Sequence, residues 1–329
     1  MTRNGTHEVT GLIAAGLAAF FAVTGLVPGV LVLSQAGQPG LINPETLVLL
    51  ASDATYLSPV TLAEVSGAHI DETDTLTPDD EASNSSVAVW TVTASDYDTT
   101  HHQQLEPVSR TFGIDRATTQ LVSCCGANID GNPLIRQTGL SGYVFPAGTR
   151  RQSYDIFDAV LDRPEPAAYS GSGAIDGVVA YQYTENVTAA PMGFSPLSAT
   201  SPELYSLRKS YWVDPETGAV LAVAADEDLY LARPAASRVF DAHLATTPAT
   251  VARLVAQDRT ARHQGTLARD LRLACLVLAV AAAVIAGYAL SRRRSPPSPR
   301  HPHAGKRKRK YRGQEIREPV QESGIENAA

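Results

Sequence analysis

Tyr211-Trp212-Val213-Asp214-Pro215-Glu216-Thr217-Gly218-Ala219-Val220-Leu221 reads as a strand, a tight turn and a second strand. Asp opens the turn, Pro fixes the next φ and Gly supplies the late position where a side chain is unwelcome. The same pattern stands 99 residues earlier, where Phe112, Ile114, Asp115, Thr118, Leu121 and Val122 match Tyr211, Val213, Asp214, Thr217, Val220 and Leu221. A strand candidate precedes each copy: Val87 to Thr93, apolar on both faces, and Val178 to Glu185, in which Val179, Tyr181 and Tyr183 alternate with Ala180, Gln182 and Thr184. Two more Asp-Gly turns, Asn128-Ile129-Asp130-Gly131 and Ile175-Asp176-Gly177-Val178, lie between apolar residues. The fold these signals predict is mainly β (α+β), an antiparallel domain with the form of a duplicated meander.

Outward from this core the chain turns apolar at both ends. Val9 to Leu33 carries no charge over 25 positions, which as a helix reach about 37 Å against a hydrocarbon core of roughly 30 Å. Leu273 to Leu290 gives 18 positions bracketed by Arg272 and Arg292, about 27 Å of helix with basic residues at both interfaces. The first segment reads as an uncleaved anchor in preference to a cleaved signal peptide, whose site would be Ser34-Gln35-Ala36. Thr247-Pro248 is a helix start, and Val251, Leu254, Val255 and Leu267 follow at helical spacing, with Arg253, Asp258, Arg259 and Arg262 expected on the wet side.

Charge sets the expected orientation. From Gln35 to Asp270 there are 29 acidic and 14 basic residues, whereas Arg292 to Arg312 holds ten basic residues and no acidic one. Basic flanks stay cytoplasmic. The expected organisation is therefore a cytoplasmic N-terminus at 1–8, a membrane helix at 9–33, an exported β-rich domain at 34–246, a helical stalk at 247–271, a second membrane helix at 272–291 and a basic cytoplasmic tail at 292–329. This makes it a plasma-membrane protein with both termini inside and an extracytoplasmic middle. The tail suits anionic lipid headgroups, at about 1 kcal/mol per charge near the surface, and calls for no specific nucleic acid.

Chemistry-bearing motifs are sparse. Cys124 and Cys125 are adjacent and have only each other as partners in the exported region, because Cys275 falls in the second membrane segment. A vicinal disulfide is the expectation in an oxidising compartment. A bridge between separate chains stays open. His101 and His102 point apart and read as a solvated loop, and Asp71 to Glu81 lacks the glycine and alternating oxygens of a calcium loop and reads as an acidic loop. Ser170-Gly171-Ser172-Gly173 reads as a flexible turn, not a nucleophile elbow. The expectation is a protein that is not an enzyme, with no catalytic residue, metal or cofactor.

From Cys124 to Gln182 the motifs occur in a recognisable order: Cys124-Cys125-Gly126, Asn128, Asp130-Gly131, Gly139-Leu140, Phe145-Pro146, Gly148-Thr149, Tyr154, Phe157-Asp158, Ile175-Asp176-Gly177 and Tyr181. Together with Tyr211-Trp212-Val213-Asp214-Pro215 and Thr217-Gly218, they resemble the actinobacterial family labelled porin PorA, also known as a domain of unknown function. The likeness runs to about Leu290 and is weakest between Gln35 and Glu64. It implies an envelope protein with two membrane helices around an exported β domain. Three function classes follow: a binding or lipid-handling module whose curved sheet shelters an envelope lipid, a porin or channel component built by homo-oligomerisation, and a structural scaffold. The first is preferred, because neither membrane segment carries the internal charge that marks an ion path.

Overall fold

The computed structural model describes residues 45–105, 107–194, 202–232 and 237–293. Among these residues thirteen strands and one helix follow one another: β1 (Glu45–Leu57), β2 (Glu64–Asp79), β3 (Val87–Asp98), β4 (Gln103–Gln104), β5 (Val108–Asp115), β6 (Leu121–Val122), β7 (Asn128–Ile129), β8 (Tyr154–Asp158), β9 (Arg163–Ile175), β10 (Val178–Phe194), β11 (Pro202–Val213), β12 (Val220–Leu231), β13 (Ser237–Thr246) and α1 (Pro248–Arg293). One antiparallel sheet holds all the strands in the order β6-β5-β3-β2-β1-β13-β12-β11-β10-β9-β8, with β4 beside β3 and β7 beside β5. Its first and last strands in sequence, β1 and β13, meet in the middle, where Leu49 faces Thr246.

The sheet curls into a half-barrel whose two ends are bridged by Gly139 and Leu140. The Leu121 N–H donates to Gly139 O at 2.7 Å on one side, while on the other the Leu140 N–H donates to Asp155 O at 2.8 Å and Leu140 O accepts from the Phe157 N–H at 2.9 Å. Gly139 has φ +88°, and a Cβ there would lie 2.6 Å from Asp155 O, so only glycine lets the bridging strap approach. The strap continues through the interior. Phe145 packs against Tyr183, Tyr154 and Tyr211 at centroid distances of 5.1, 5.5 and 6.0 Å.

Both expected turns of the repeated pattern are present with matching hydrogen bonds. Asp115 N–H donates to Gln120 O and Thr119 N–H to Asp115 O, while Asp214 N–H donates to Ala219 O and Gly218 N–H to Asp214 O. Thr119 and Gly218 occupy the same left-handed position, at φ 59° and 78°. In the second turn a Cβ on Gly218 would meet Phe145 O at 2.1 Å, which ties this turn to the strap. The Asp176-Gly177 pair closes the β9–β10 hairpin with Ile175 opposite Val178, and both turn residues have positive φ, as a two-residue hairpin with right-twisted strands requires.

Two readings change. Asp71 to Glu81 is no loop over most of its length: β2 runs through Asp79, because Ala68, Ile70 and Leu76 keep a period of two around Glu72 and Asp74. Ser170 to Gly173 lies in β9, where Gly171 and Ser172 pair with Gln182 and Tyr181. The helical stalk runs without a break into the second apolar segment as one 46-residue helix, α1. The first membrane segment, Val9 to Leu33, lies outside the described residues, so α1 is the one helix there that is long and apolar enough to cross a membrane.

α1 starts as expected, with the Thr250 N–H donating to Thr247 Oγ1 at 3.1 Å. Its first turns cover the outer face of the sheet, where Val255 joins Val178, Ala180 and Leu221 in a small core flanked by Trp212 and Val251. Beyond Leu267 the apolar side chains are exposed on every side. The strands do not share that character: Thr75, Thr77, Ser172, Arg208 and Asp226 stand on the exposed surface of the sheet.

A carboxylate-lined cavity as candidate functional site

The concave interior of the half-barrel holds a partly open cavity of about 220 Å³. Strand alternation builds it. On β11, Tyr205, Leu207, Lys209 and Tyr211 all face inward, and their neighbours Val223, Ala225 and Glu227 on β12 do the same. On the opposite wall, Glu72 faces inward because its β1 partner is the core residue Leu49, and Asp96 on β3 is the direct partner of Glu72. Asp74 follows two residues after Glu72. Asp158 comes from the end of β8 and Glu185 from β10, where it stands opposite Lys209.

Six carboxylates therefore share the space with two cations, Lys209 and Arg110. Some of their hydrogen bonds are supplied by the wall. Tyr143 OH donates to Asp74 Oδ2 at 3.0 Å and Tyr211 OH to Glu185 Oε2 at 3.0 Å. Asp158 Oδ1 accepts from the N–H groups of Val160 and Leu161. The second oxygen of each remains open: Asp74 Oδ1, Asp158 Oδ2 and Glu185 Oε1 are buried without a hydrogen-bond partner, as is Asp96 Oδ1. Asp74, Asp158 and Glu185 are 7%, 7% and 1% exposed. Burying a carboxylate oxygen unpaired is costly, so each such atom calls for an explanation.

Lys209 does not provide one. It makes no direct ion pair among the described residues, and its Nζ lies 5.7 Å from the Tyr211 ring centroid. Burial would depress its amine, but Glu72, Asp74, Glu185 and Glu227 more than offset this and raise it. Arg110 is only partly engaged: its Nε donates to Gln137 Oε1 at 2.7 Å and its guanidinium stacks 4.8 Å from the Phe112 and Phe157 ring centres, while Nη2 is buried without a hydrogen-bond partner.

The carboxylates respond to this confinement. Burial pushes Glu185 up to about 7 against the pull of Lys209, and Glu227 likewise to about 7. Asp96 is pushed up to about 6 by burial and by Asp74. Burial and the charge of Asp74 lift Glu72 well above its ordinary range, and burial also raises Asp74 and Asp158. Near neutral pH the wall therefore carries protons that a competing cation could displace.

The residues singled out from sequence lie apart from this cavity. Cys124 and Cys125 are paired, with Cα atoms 3.8 Å apart, and sit beyond β6 beside Gly113. His101 Nδ1 lies 2.7 Å from Asp98 Oδ2 in the turn after β3. Sequence reasoning missed the cavity because Glu72 and Asp74 were assigned to an acidic loop. The flanking Ile70 and Leu76, in phase with them, carried the signal.

A second cleft of about 380 Å³ separates α1 from the sheet, and Tyr143 lines both spaces. The carboxylates at this junction all have partners. Arg262 reaches Asp214 at 2.5 Å, Asp258 at 3.2 Å and Glu216 at 3.2 Å, and Arg253 reaches Glu45 at 3.0 Å. Arg259 donates to Asp176 O. The expected wet side of the helix is thus its docking side: Asp258 is 2% exposed.

The family model described as Porin PorA matches residues 10–288. No curated protein matches the chain.

Proposed function

The chain belongs to the porin PorA family, and from that premise we propose that its β domain is a non-enzymatic binding compartment held at the membrane by α1. The observation that carries this reading is the set of buried, unpartnered oxygens on Asp74, Asp96, Asp158 and Glu185 around one cavity. A polar interior with unmet hydrogen-bonding capacity is built for a polar occupant, and a cavity of about 220 Å³ suits a small one. This lining favours such a solute over the envelope lipid expected from the sequence. The basic stretch after Arg292 supports a cytoplasmic C-terminus, which puts the β domain on the extracytoplasmic side.

The family description favours a second reading, a pore. A membrane barrel needs an apolar outer band, and the exposed Thr, Ser, Arg and Asp residues of the sheet do not provide one. Any pore would be assembled from membrane helices of several copies, with the β domain as its vestibule. Native mass spectrometry of the full chain released from detergent micelles separates the readings. The binding reading expects a discrete small mass on the protein. A bare protein mass with reproducible conductance in planar bilayers would replace it with the channel reading.

A further inference from the structure

Resting on the binding reading above, we infer that the occupant of the cavity is a small aliphatic amine, an organic cation with ammonium groups joined by methylenes. Three features select this class. The first is the charge imbalance, six carboxylates against two cations, of which Arg110 donates through Nε to Gln137, stacks on two aromatic rings and forms no ion pair among the described residues, its Nη2 staying unmet. The second is the placement of the open oxygens on separate walls: Asp74 on β2 and Asp96 on β3, Glu185 on β10 and Asp158 at the end of β8. Ammonium groups at the two ends of one molecule meet both walls. The third is the surface between them, where Leu47, Leu49, Leu207 and Val223 offer aliphatic contact to methylenes and nothing to a hydrated ion.

An inorganic cation fits less well. Among the described residues no group of three His, Cys, Asp or Glu side chains stands close enough to hold a metal. A dehydrated divalent ion requires several oxygens at about 2.0–2.6 Å. An ammonium needs only hydrogen bonds at ordinary length, each to an acceptor that is otherwise unmet.

Charge balance also assigns a proton count. Near pH 7 part of the wall is protonated, so an entering diammonium ion displaces protons from Glu185, Glu227 or Asp96 to solvent. The other ionisable groups facing them are Glu72 and Asp74 on β2, Arg110 on β5, Tyr143 on the strap, Asp158 on β8, Tyr205, Lys209 and Tyr211 on β11. Lys209 stays charged and steers the ammonium groups toward the two walls.

The test is isothermal titration of the full chain in micelles with 1,4-diaminobutane, and in parallel with 1,4-butanediol and magnesium chloride. The diamine is expected to bind at least about a hundredfold more tightly than the diol, since it replaces two neutral hydrogen bonds by charge-assisted ones. Affinity should rise from pH 5.5 to pH 8, and heats in two buffers of different ionisation enthalpy should show proton release. Asp74→Asn and Glu185→Gln should each weaken the diamine about tenfold, while Asp53→Asn, on the exposed face of β1, should not. If either cavity variant fails to fold, the pH dependence and proton release of the wild-type chain decide. Equal affinity for diol and diamine, or binding of magnesium alone, overturns the amine assignment. A small neutral mass seen by native spectrometry would also overturn it while leaving the binding compartment intact. No heat with any probe, and no bound mass, would remove both.

Discussion

The α1 junction and the barrel cavity each bury several carboxylates, yet they treat them in opposite ways. At the junction both oxygens of Asp214 and both of Asp258 have partners, from Arg262, Thr217 and the Glu216 N–H. In the cavity four carboxylates keep one oxygen unmet, and the nearby Lys209 pairs directly with none of them. A buried carboxylate whose oxygens are all hydrogen-bonded fixes one element against another. A buried charge left open marks a place where something outside the fold completes the arrangement.

The largest effect should come from breaking the matched side. Arg262→Met leaves Asp214 and Asp258 buried without a cation, and should cost about 4 kcal/mol in denaturant unfolding of the β domain. Equal stability for variant and wild type would mean that the helix does not brace the sheet through this cluster. Lys209→Met in the cavity should cost less, about 2 kcal/mol at pH 8 and under about 1 kcal/mol at pH 5, because the surrounding carboxylates can take up protons in its place. A cost that is independent of pH would show that Lys209 acts by packing.

Glu185→Gln sharpens the contrast in the other direction. Glu185 has its folded-state value raised from 4.5 to about 7, so the stability linked to its protonated form is full below about pH 4.5 and lost as pH rises through 7. Glutamine resembles the protonated acid. In the ligand-free chain the variant should gain about 2 kcal/mol at pH 8 and nothing at pH 4, measured by thermal unfolding across that range. The smallest effect belongs to the start of the helix: Thr247→Ala removes the bond to the Thr250 N–H and should cost about 1 kcal/mol, with no change in the cavity.

Much of the fold was legible where the backbone itself is constrained. The Asp115 and Asp214 turns, the Asp-Gly hairpin at 176–177 and the Thr247 cap rest on local rules, and each is found where the residues place it. The cavity was illegible for a physical reason. Inward-facing Glu72 and Asp74 break the rule that buried strand faces are apolar, so the segment reads as a solvated loop until β1 and β3 show which face it turns inward. Arg253, Asp258, Arg259 and Arg262 misled in the same way, since a polar helix stripe reads as wet and here meets complementary groups on the sheet. Closure through Gly139 and Leu140 joins strands far apart in sequence, and nothing local announces it.

A crystal structure of the full chain at neutral pH tests the central claim most directly. The account expects density not belonging to the protein within hydrogen-bonding distance of Asp74 Oδ1 and Glu185 Oε1, with Lys209 still out of direct ion-pair contact. A collapsed cavity, with Lys209 bound to Glu185 and every carboxylate oxygen met by the protein itself, would contradict it.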